Sequence, residues 1–221
     1  TQVASGTLEL ANNGSQAIIV PKGATVTVSE TPGDDWTVSY SNNGQVFAEN
    51  GTITVTNTRR VMDITVTKTW QDRNGAETDR PTVTFELYYG DGTTKVEDSS
   101  GNQVTAALDT ATNTATFSNL PYSENGYVVK EVMANNDAGY VSSWTNGQSV
   151  TFDEDGATLS VTNTRTKAKV TVTKQIVDDT TDSAAGLASE FIFQVKDGDV
   201  EVVRTKPDGN GESVTIYLEI G

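Results

Sequence analysis

The sequence contains no cysteine and no histidine among its 221 residues. Without cysteine the chain cannot form disulfide bonds, thiolate metal sites, cysteine nucleophiles or internal thioesters. Without histidine it cannot carry a Ser-His-Asp triad or a histidine-ligated zinc ion. The sequence therefore contains no set of residues to which we assign a metal or another cofactor.

Basic residues are scarce, with 15 lysines and arginines against 30 aspartates and glutamates, and the formal net charge is −15. A nucleic-acid-binding protein needs a basic surface, so we exclude nucleic acid as a partner. No apolar run approaches the ~18 residues that span a membrane, and we expect no membrane insertion in this segment. Targeting and anchoring segments of a parent protein would lie outside it.

Three kinds of element recur along the chain, and each is named here after one polar residue. The lysine strands are Ile64–Lys68 and Val170–Lys174, the glutamate strands are Ala24–Glu30 and Tyr127–Glu131, and the asparagine strands are Ile53–Arg59 and Leu159–Arg165. Apart from Tyr127–Glu131, these segments alternate apolar and polar residues, which is the pattern of a half-buried β-strand. Glycine- and asparagine-rich turns separate them, so the sequence predicts an all-β fold of sandwich type.

The order of these elements predicts three segments. Residues 61–166 carry a lysine, a glutamate and an asparagine strand and read as one complete domain, whereas residues 1–60 read as the last half of such a domain and residues 167–221 as the first half. A partial sandwich would expose a sheet edge and an apolar face. One interpretation is that the sequence is a piece of a longer array of such domains. The other is that the two half-domains complete one another, either between two copies of the chain or within one chain.

Lys68, Glu131 and Asn163 form the candidate site of the middle segment. If the lysine and asparagine strands are neighbours, the amine can meet the side-chain amide in the core. Burial disfavours both charged forms, so a neutral lysine could attack the amide and expel ammonia while a protonated glutamate polarises the carbonyl and moves protons. The alternative is that Lys68 and Asn163 are ordinary exposed strand residues.

Several motifs of the middle segment resemble the Cna B-type domains of Gram-positive surface adhesins and pilins. They are Val66-Thr-Lys-Thr-Trp70, Arg80-Pro-Thr-Val-Thr-Phe-Glu-Leu87, Ala115-Thr-Phe-Ser-Asn-Leu-Pro121, Tyr127-Val-Val-Lys-Glu131 with Gly139-Tyr140, and Val161-Thr-Asn-Thr-Arg165. The resemblance implies tandem immunoglobulin-like sandwiches, one complete and two partial, and a spontaneous isopeptide bond between Lys68 and Asn163 assisted by Glu131. It implies single-turnover self-modification and no enzyme.

The outer segments resemble related pilin-type modules. There the resemblance matches Glu30 to the acid, Asn57 to the acceptor and Lys174 to the nucleophile, and Lys174 would bond to Asn57 if the halves pair. The function implied is a stalk or pilus-shaft module at the cell wall, with neighbouring repeats or subunits of the same protein as partners. The alternative is an adhesin domain that binds a host protein or glycan, although any such ligand could also belong to domains outside this stretch.

Overall fold

The computed structural model describes residues 4–72, 78–173, 193–197, 200–205 and 213–219. The chain divides into two compact units, Thr1–Arg60 and Val61–Gly221. All regular elements among the described residues are β-strands, which confirms the predicted all-β fold.

The first unit contains four short strands: β1 (Ala24–Val26), β2 (Trp36–Ser41), β3 (Gln45–Phe47) and β4 (Thr54–Arg59). They pair antiparallel as two ribbons, β1 with β3 and β2 with β4. The tight turn between β2 and β3 uses positive φ angles at Asn42 (56°) and Gly44 (74°), a conformation that asparagine and glycine tolerate best.

The middle of the chain is a sandwich of two four-stranded sheets. Its strands are β5 (Val61–Gln71), β6 (Thr82–Tyr89), β7 (Thr105–Ala107), β8 (Thr114–Pro121), β9 (Tyr127–Ala134), β10 (Tyr140–Thr145), β11 (Ser149–Val150) and β12 (Ala157–Arg165). One sheet has the order β10-β12-β5-β8 and the other β11-β9-β6-β7. The first and last strands of the sandwich, β5 and β12, are parallel neighbours.

The core of this sandwich follows from the alternation of β5 and β12. In β5 the inward positions are Met62, Ile64, Val66 and Lys68, and all four are buried. In β12 they are Leu159, Val161, Asn163 and Arg165, also buried. Each inward stripe therefore begins apolar and ends polar, which brings buried polar groups together at one end of the core.

The last described strands are β13 (Lys167–Thr173), β14 (Phe193–Asp197), β15 (Val200–Thr205) and β16 (Ser213–Glu219). They form two antiparallel pairs, β13 with β16 and β14 with β15. Only Thr166 separates β12 from β13, so the chain passes from the sandwich into the next segment without a flexible linker.

The strand pairings repeat along the chain. The pairs β1–β3 and β2–β4 reproduce, in sequence order, the pairs β9–β11 and β10–β12 of the sandwich. The pairs β13–β16 and β14–β15 reproduce β5–β8 and β6–β7. The described strands before the sandwich thus pair like its second half, and those after it pair like its first half.

The glutamate strand predicted over Ala24–Glu30 is wrong at its end, because β1 stops at Val26. The side chain of Asn43 replaces a neighbouring strand at Val28: the Val28 amide donates to Asn43 Oδ1 at 2.7 Å, and Asn43 Nδ2 donates to the Val28 carbonyl at 2.8 Å. Such side-chain bonds compete with strand pairing, and Glu30 consequently lies outside a strand.

Candidate functional site

Lys68 and Asn163 lie on adjacent parallel strands, which meets the condition that the sequence analysis set for their contact. Lys68 is in register with Val161, and Asn163 is in register with Trp70. Because side chains alternate between the faces of a strand, the Lys68 amine and the Asn163 amide project from the same face and are diagonal neighbours.

Glu131 reaches the same place from the opposite sheet. It lies on β9, in register with Phe85 of β6. Its Oε1 atom is 3.0 Å from Lys68 Nζ and accepts a hydrogen bond of 3.0 Å from Asn163 Nδ2. One carboxylate oxygen therefore contacts both nitrogens. Lys68 Nζ and Asn163 Nδ2 can be separated by no more than twice 3.0 Å.

All three side chains are shielded from water. The side chains of Lys68 and Glu131 are 0% and 1% exposed, and Asn163 is 0% exposed. The predicted core location is therefore confirmed, and the alternative of exposed strand residues is wrong for this segment. Buried ionisable groups are costly unless paired, and here the amine and the carboxyl are placed against one another.

The electrostatics of the site favour an uncharged amine. Burial lowers the pKa of Lys68 from its ordinary value of 10.5, and the nearby Glu131 opposes this effect only in part. Desolvation penalises the ammonium more than the neutral amine, so the group that could act as a nucleophile becomes available at a lower pH than in water.

Hydrogen bonding in the site is incomplete. Lys68 Nζ is close to Glu131 but not aligned for a good hydrogen bond, and Glu131 Oε2 and Asn163 Oδ1 are buried without partners. Unpaired buried polar atoms are rare and call for an explanation. Rotating the amide by half a turn would bring its oxygen to the position 3.0 Å from Glu131 Oε1, where a protonated carboxyl can donate to it.

Two neighbours of the site were not assigned to it from the sequence. Lys68 Nζ lies 4.6 Å from the centre of the Trp70 ring, and Asn163 Nδ2 lies 3.1 Å from Met133 Sδ. Each of these residues follows a site residue by two positions on the same strand, Trp70 after Lys68 and Met133 after Glu131. Because residues two positions apart on a strand share a face, the sequence already held the signal that Trp70 and Met133 lie beside the site.

The outer candidates are only partly brought together. Asn57 Nδ2 donates to Glu30 Oε1 at 2.9 Å, but both residues are exposed. The same amide-to-carboxylate hydrogen bond joins Asn163 to Glu131, but that pair is buried and the pair of Asn57 and Glu30 is not. Lys174, the nucleophile predicted for the outer halves, lies outside the described residues.

Across the described residues, no group of three or more Asp or Glu side chains is arranged to hold a metal ion. No helix in the described part of the chain could span a membrane.

Solved structures that are similar to the chain include the following three. The Bacillus anthracis TIE protein is 21% identical with a TM-score of 0.32, and the match covers 77% of this chain and 28% of that protein. A single B repeat unit of the Staphylococcus aureus collagen-binding surface protein is 23% identical with a TM-score of 0.34, covering 60% of each. A streptococcal ancillary pilin is 17% identical with a TM-score of 0.36, covering 72% and 50%.

This chain spans less than two thirds of the length of each of these three proteins. No curated protein matches it. The Cna protein B-type domain family, in contrast, matches residues 64–164. This range runs from Ile64 on β5 to Thr164 on β12 and includes Lys68, Glu131 and Asn163. The resemblance seen in the sequence is thereby confirmed, and residues 64–164 of this chain match the Cna protein B-type domain family.

Proposed function

We propose that the chain is a structural stalk or pilus-shaft module of a Gram-positive cell-surface protein, and that Lys68 and Asn163 of its middle domain join in an isopeptide bond. The observation that carries the proposal is the single buried oxygen, Glu131 Oε1, which lies 3.0 Å from both Lys68 Nζ and Asn163 Nδ2. The match of residues 64–164 to the Cna protein B-type domain supports it.

The reaction begins with one proton transfer. Moving a proton from Lys68 Nζ to Glu131 converts an ion pair into a neutral amine and a carboxylic acid without changing the net charge. A dry, low-dielectric site favours this neutral pair over two separated charges. Glu131 then donates a hydrogen bond to Asn163 Oδ1 and makes the amide carbon more electrophilic.

The amine next attacks the side-chain carbonyl carbon of Asn163. A bond forms between Lys68 Nζ and that carbon, and the bond from the carbon to Nδ2 breaks. Glu131 takes one proton from the attacking nitrogen and delivers one to the leaving nitrogen, which departs as ammonia. The carboxyl is regenerated, no oxidant or reductant is needed, and each molecule reacts once, so the chain is not an enzyme.

The cross-link would stiffen the domain because it joins the first and last strands of the sandwich. The closed loop contains about 95 residues, and by analogy with disulfides it would stabilise the fold by roughly 4–5 kcal/mol. Tension applied between Val61 and Arg165 would pass from β5 to β12 through the bond. Strands β6 to β11 would then carry little of the force.

We also propose that residues 1–60 and 167–221 are halves of further domains of this type. The repeated strand pairings support this assignment, as does the contact between Asn57 and Glu30. The halves are complementary, so they could complete one domain within one chain or between copies, or each could be completed by parts of a longer protein. In a completed domain, Lys174 would bond to Asn57.

The proposed role places the protein outside the cell, in the cell wall or in a pilus. Its partners would be neighbouring repeats or subunits of the same protein, and any host ligand would bind through other domains. The acidic net charge of −15 suits a soluble extracellular surface.

Intact mass under denaturing conditions tests the chemistry. We expect the middle domain to account for the loss of one ammonia relative to the sequence. The loss should disappear in Lys68→Ala and Glu131→Ala, whereas Lys130→Ala, which removes the lysine next to Glu131 in β9, should retain it. A second ammonia lost in a monomer, or a ladder of covalent multimers, would indicate that the outer halves pair. An unmodified mass in the parent would overturn the isopeptide mechanism.

A further inference from the structure

A second polar cluster, partly shielded from water, lies where the middle domain meets the next segment, and it takes no part in the proposed cross-link. Its centre is Asp79, which precedes β6. Arg165, the last residue of β12, donates to both Asp79 oxygens, from Nη1 to Oδ1 at 3.2 Å and from Nη2 to Oδ2 at 3.3 Å. Bidentate pairs of this kind fix orientation as well as charge.

The same carboxylate is held by residues of the following segment. The hydroxyl of Tyr217, on β16, donates to Asp79 Oδ2 at 3.0 Å. Lys169 Nζ, on β13, lies 3.9 Å from Oδ2, and the Arg165 guanidinium lies 6.0 Å from the centre of the Tyr217 ring. Both strands of the β13–β16 pair therefore contact one side chain of the middle domain.

Because Arg165 is buried, its ion pair with Asp79 should respond strongly to a substitution that removes the carboxylate charge. The Arg165 side chain is 4% exposed and the Asp79 side chain 13% exposed. Removing the Asp79 charge would leave a buried guanidinium without its carboxylate, a condition that proteins tolerate poorly. The pKa of Asp79 lies below its ordinary value, because hydrogen bonding from Tyr217 and the charges of Arg165 and Lys169 outweigh the effect of burial.

The backbone at this junction is equally constrained. The Thr166 hydroxyl donates to the Gly139 carbonyl at 2.5 Å, and the Lys167 amide donates to the Ala138 carbonyl at 3.2 Å. Arg165 Nε donates to the Lys167 carbonyl at 2.6 Å. The only residue between β12 and β13 is thus fastened to the loop that precedes β10, which leaves little freedom for a hinge.

We propose that Asp79, Arg165 and Tyr217 form a clamp that docks the segment beginning at Lys167 onto the end of the middle domain, so that consecutive segments meet at a stiff joint. The partner recognised by this surface is the following module of the same chain, through the hydroxyl of Tyr217. The role of the joint in stiffening a stalk rests on the proposed function. The existence of the joint depends only on the contacts of Asp79, Arg165 and Tyr217. It would persist if the Lys68–Asn163 bond did not form.

The joint can be measured as a distance, because a chain without native cysteine accepts two unique spin labels. Ser118→Cys on β8 and Thr171→Cys on β13 are both exposed positions, one on each side of the junction. Pulsed electron resonance on the full chain reports the distribution of distances between them. The parent should give one narrow peak.

Two variants remove the clamp in graded steps. Tyr217→Phe deletes one hydroxyl, and Asp79→Asn removes the charge at constant size; each should broaden the distribution and shift its mean. The matched control is Tyr88→Phe, which deletes a hydroxyl that donates to Glu86 Oε2 at 2.7 Å within the sandwich and should leave the peak unchanged. Circular dichroism checks that every variant retains its β-structure.

A broad distribution in the parent, or a narrow one that survives both Tyr217→Phe and Asp79→Asn, would overturn the clamp. The same labels in a Lys68→Ala chain separate this proposal from the cross-link. A narrow peak there, lost on adding Tyr217→Phe, supports the clamp whatever the intact mass shows. A peak that broadens in Lys68→Ala alone would assign the stiffness to the cross-link and contradict the clamp.

Discussion

Lys68 Nζ and Glu131 Oε1 lie 3.0 Å apart across the two sheets of the sandwich, and their side chains are 0% and 1% exposed. A merely stabilising ion pair in this position would give little net benefit because of its desolvation cost. The contact is the observation from which the cross-link was proposed.

The first prediction concerns stability. Glu131→Gln keeps the side-chain volume but cannot shuttle protons, so the cross-link should not form and the free energy of unfolding of the middle domain should fall by roughly 4–5 kcal/mol. Denaturant unfolding followed by tryptophan fluorescence measures this, in a Trp36→Phe background so that only Trp70 and Trp144 report. The matched control, Glu86→Gln on β6, should stay near the parent, and an equal loss there would contradict the account.

The second prediction concerns the pH dependence that the buried amine imposes. In Asn163→Ala no cross-link can form, and Lys68 keeps a folded-state pKa below its unfolded value of 10.5 because of burial. The unfolded state then binds more protons between those two values, so stability should rise with pH through that window and level off above 10.5.

Adding Lys68→Met to the same background should abolish that rise. The comparison of the two variants isolates Lys68, since Glu131 and every other titrating group are common to both. Parallel stability curves measured by denaturant unfolding from neutral to alkaline pH would show that the Lys68 pKa is not lowered.

The third prediction concerns acid. Arg80 hydrogen-bonds the Asp72 carboxylate, and Tyr140 donates to Asp72 Oδ1 at 2.7 Å. The hydrogen bond from Arg80, aided by Tyr140, lowers the pKa of Asp72 below its ordinary value of 3.8. The stabilisation is therefore present above pH 3.8 and is lost as pH falls through the lower folded-state pKa. Acid titration of Asp72→Asn, monitored by tryptophan fluorescence, should lack this loss, and an unchanged profile would exclude Asp72 as its source.

The fourth prediction concerns the junction glycine. Gly139 has φ of +67°, and an added Cβ would lie 2.7 Å from Thr166 Oγ1 and 2.8 Å from Lys167 Cγ. Gly139→Ala should therefore destabilise by more than the ~1 kcal/mol expected from the backbone conformation alone. Gly101→Ala is the matched control, because Gly101 has φ of +80° and no atom within 4 Å of the added Cβ. Equal losses of stability would show that the close approach at Gly139 is unimportant.

Much of the site was readable from the sequence because it depends on local patterns. Repeated strands singled out Lys68, Glu131 and Asn163, whereas the parallel pairing of the first and last strands was not predicted. The same alternation, extended by two residues, would have found Trp70 and Met133.

Features that depend on distant contacts were not readable. Asp79 and Tyr217 are separated by 138 positions, and no local pattern links a turn residue to a strand so far along the chain. The end of β1 was predicted wrongly because the side chain of Asn43, 15 residues beyond Val28, takes over the hydrogen bonds that a strand would have made. Competition of this kind is decided by tertiary structure and not by strand propensity.

The most direct test of the central claim is tandem mass spectrometry of the digested full chain. The account predicts a branched peptide in which Lys68 Nζ is acylated by the side chain of Asn163, with no tryptic cleavage after Lys68 and a mass lower by one ammonia than that of the two peptides together. Separate linear peptides, with cleavage after Lys68 and an intact Asn163 side chain, would contradict it.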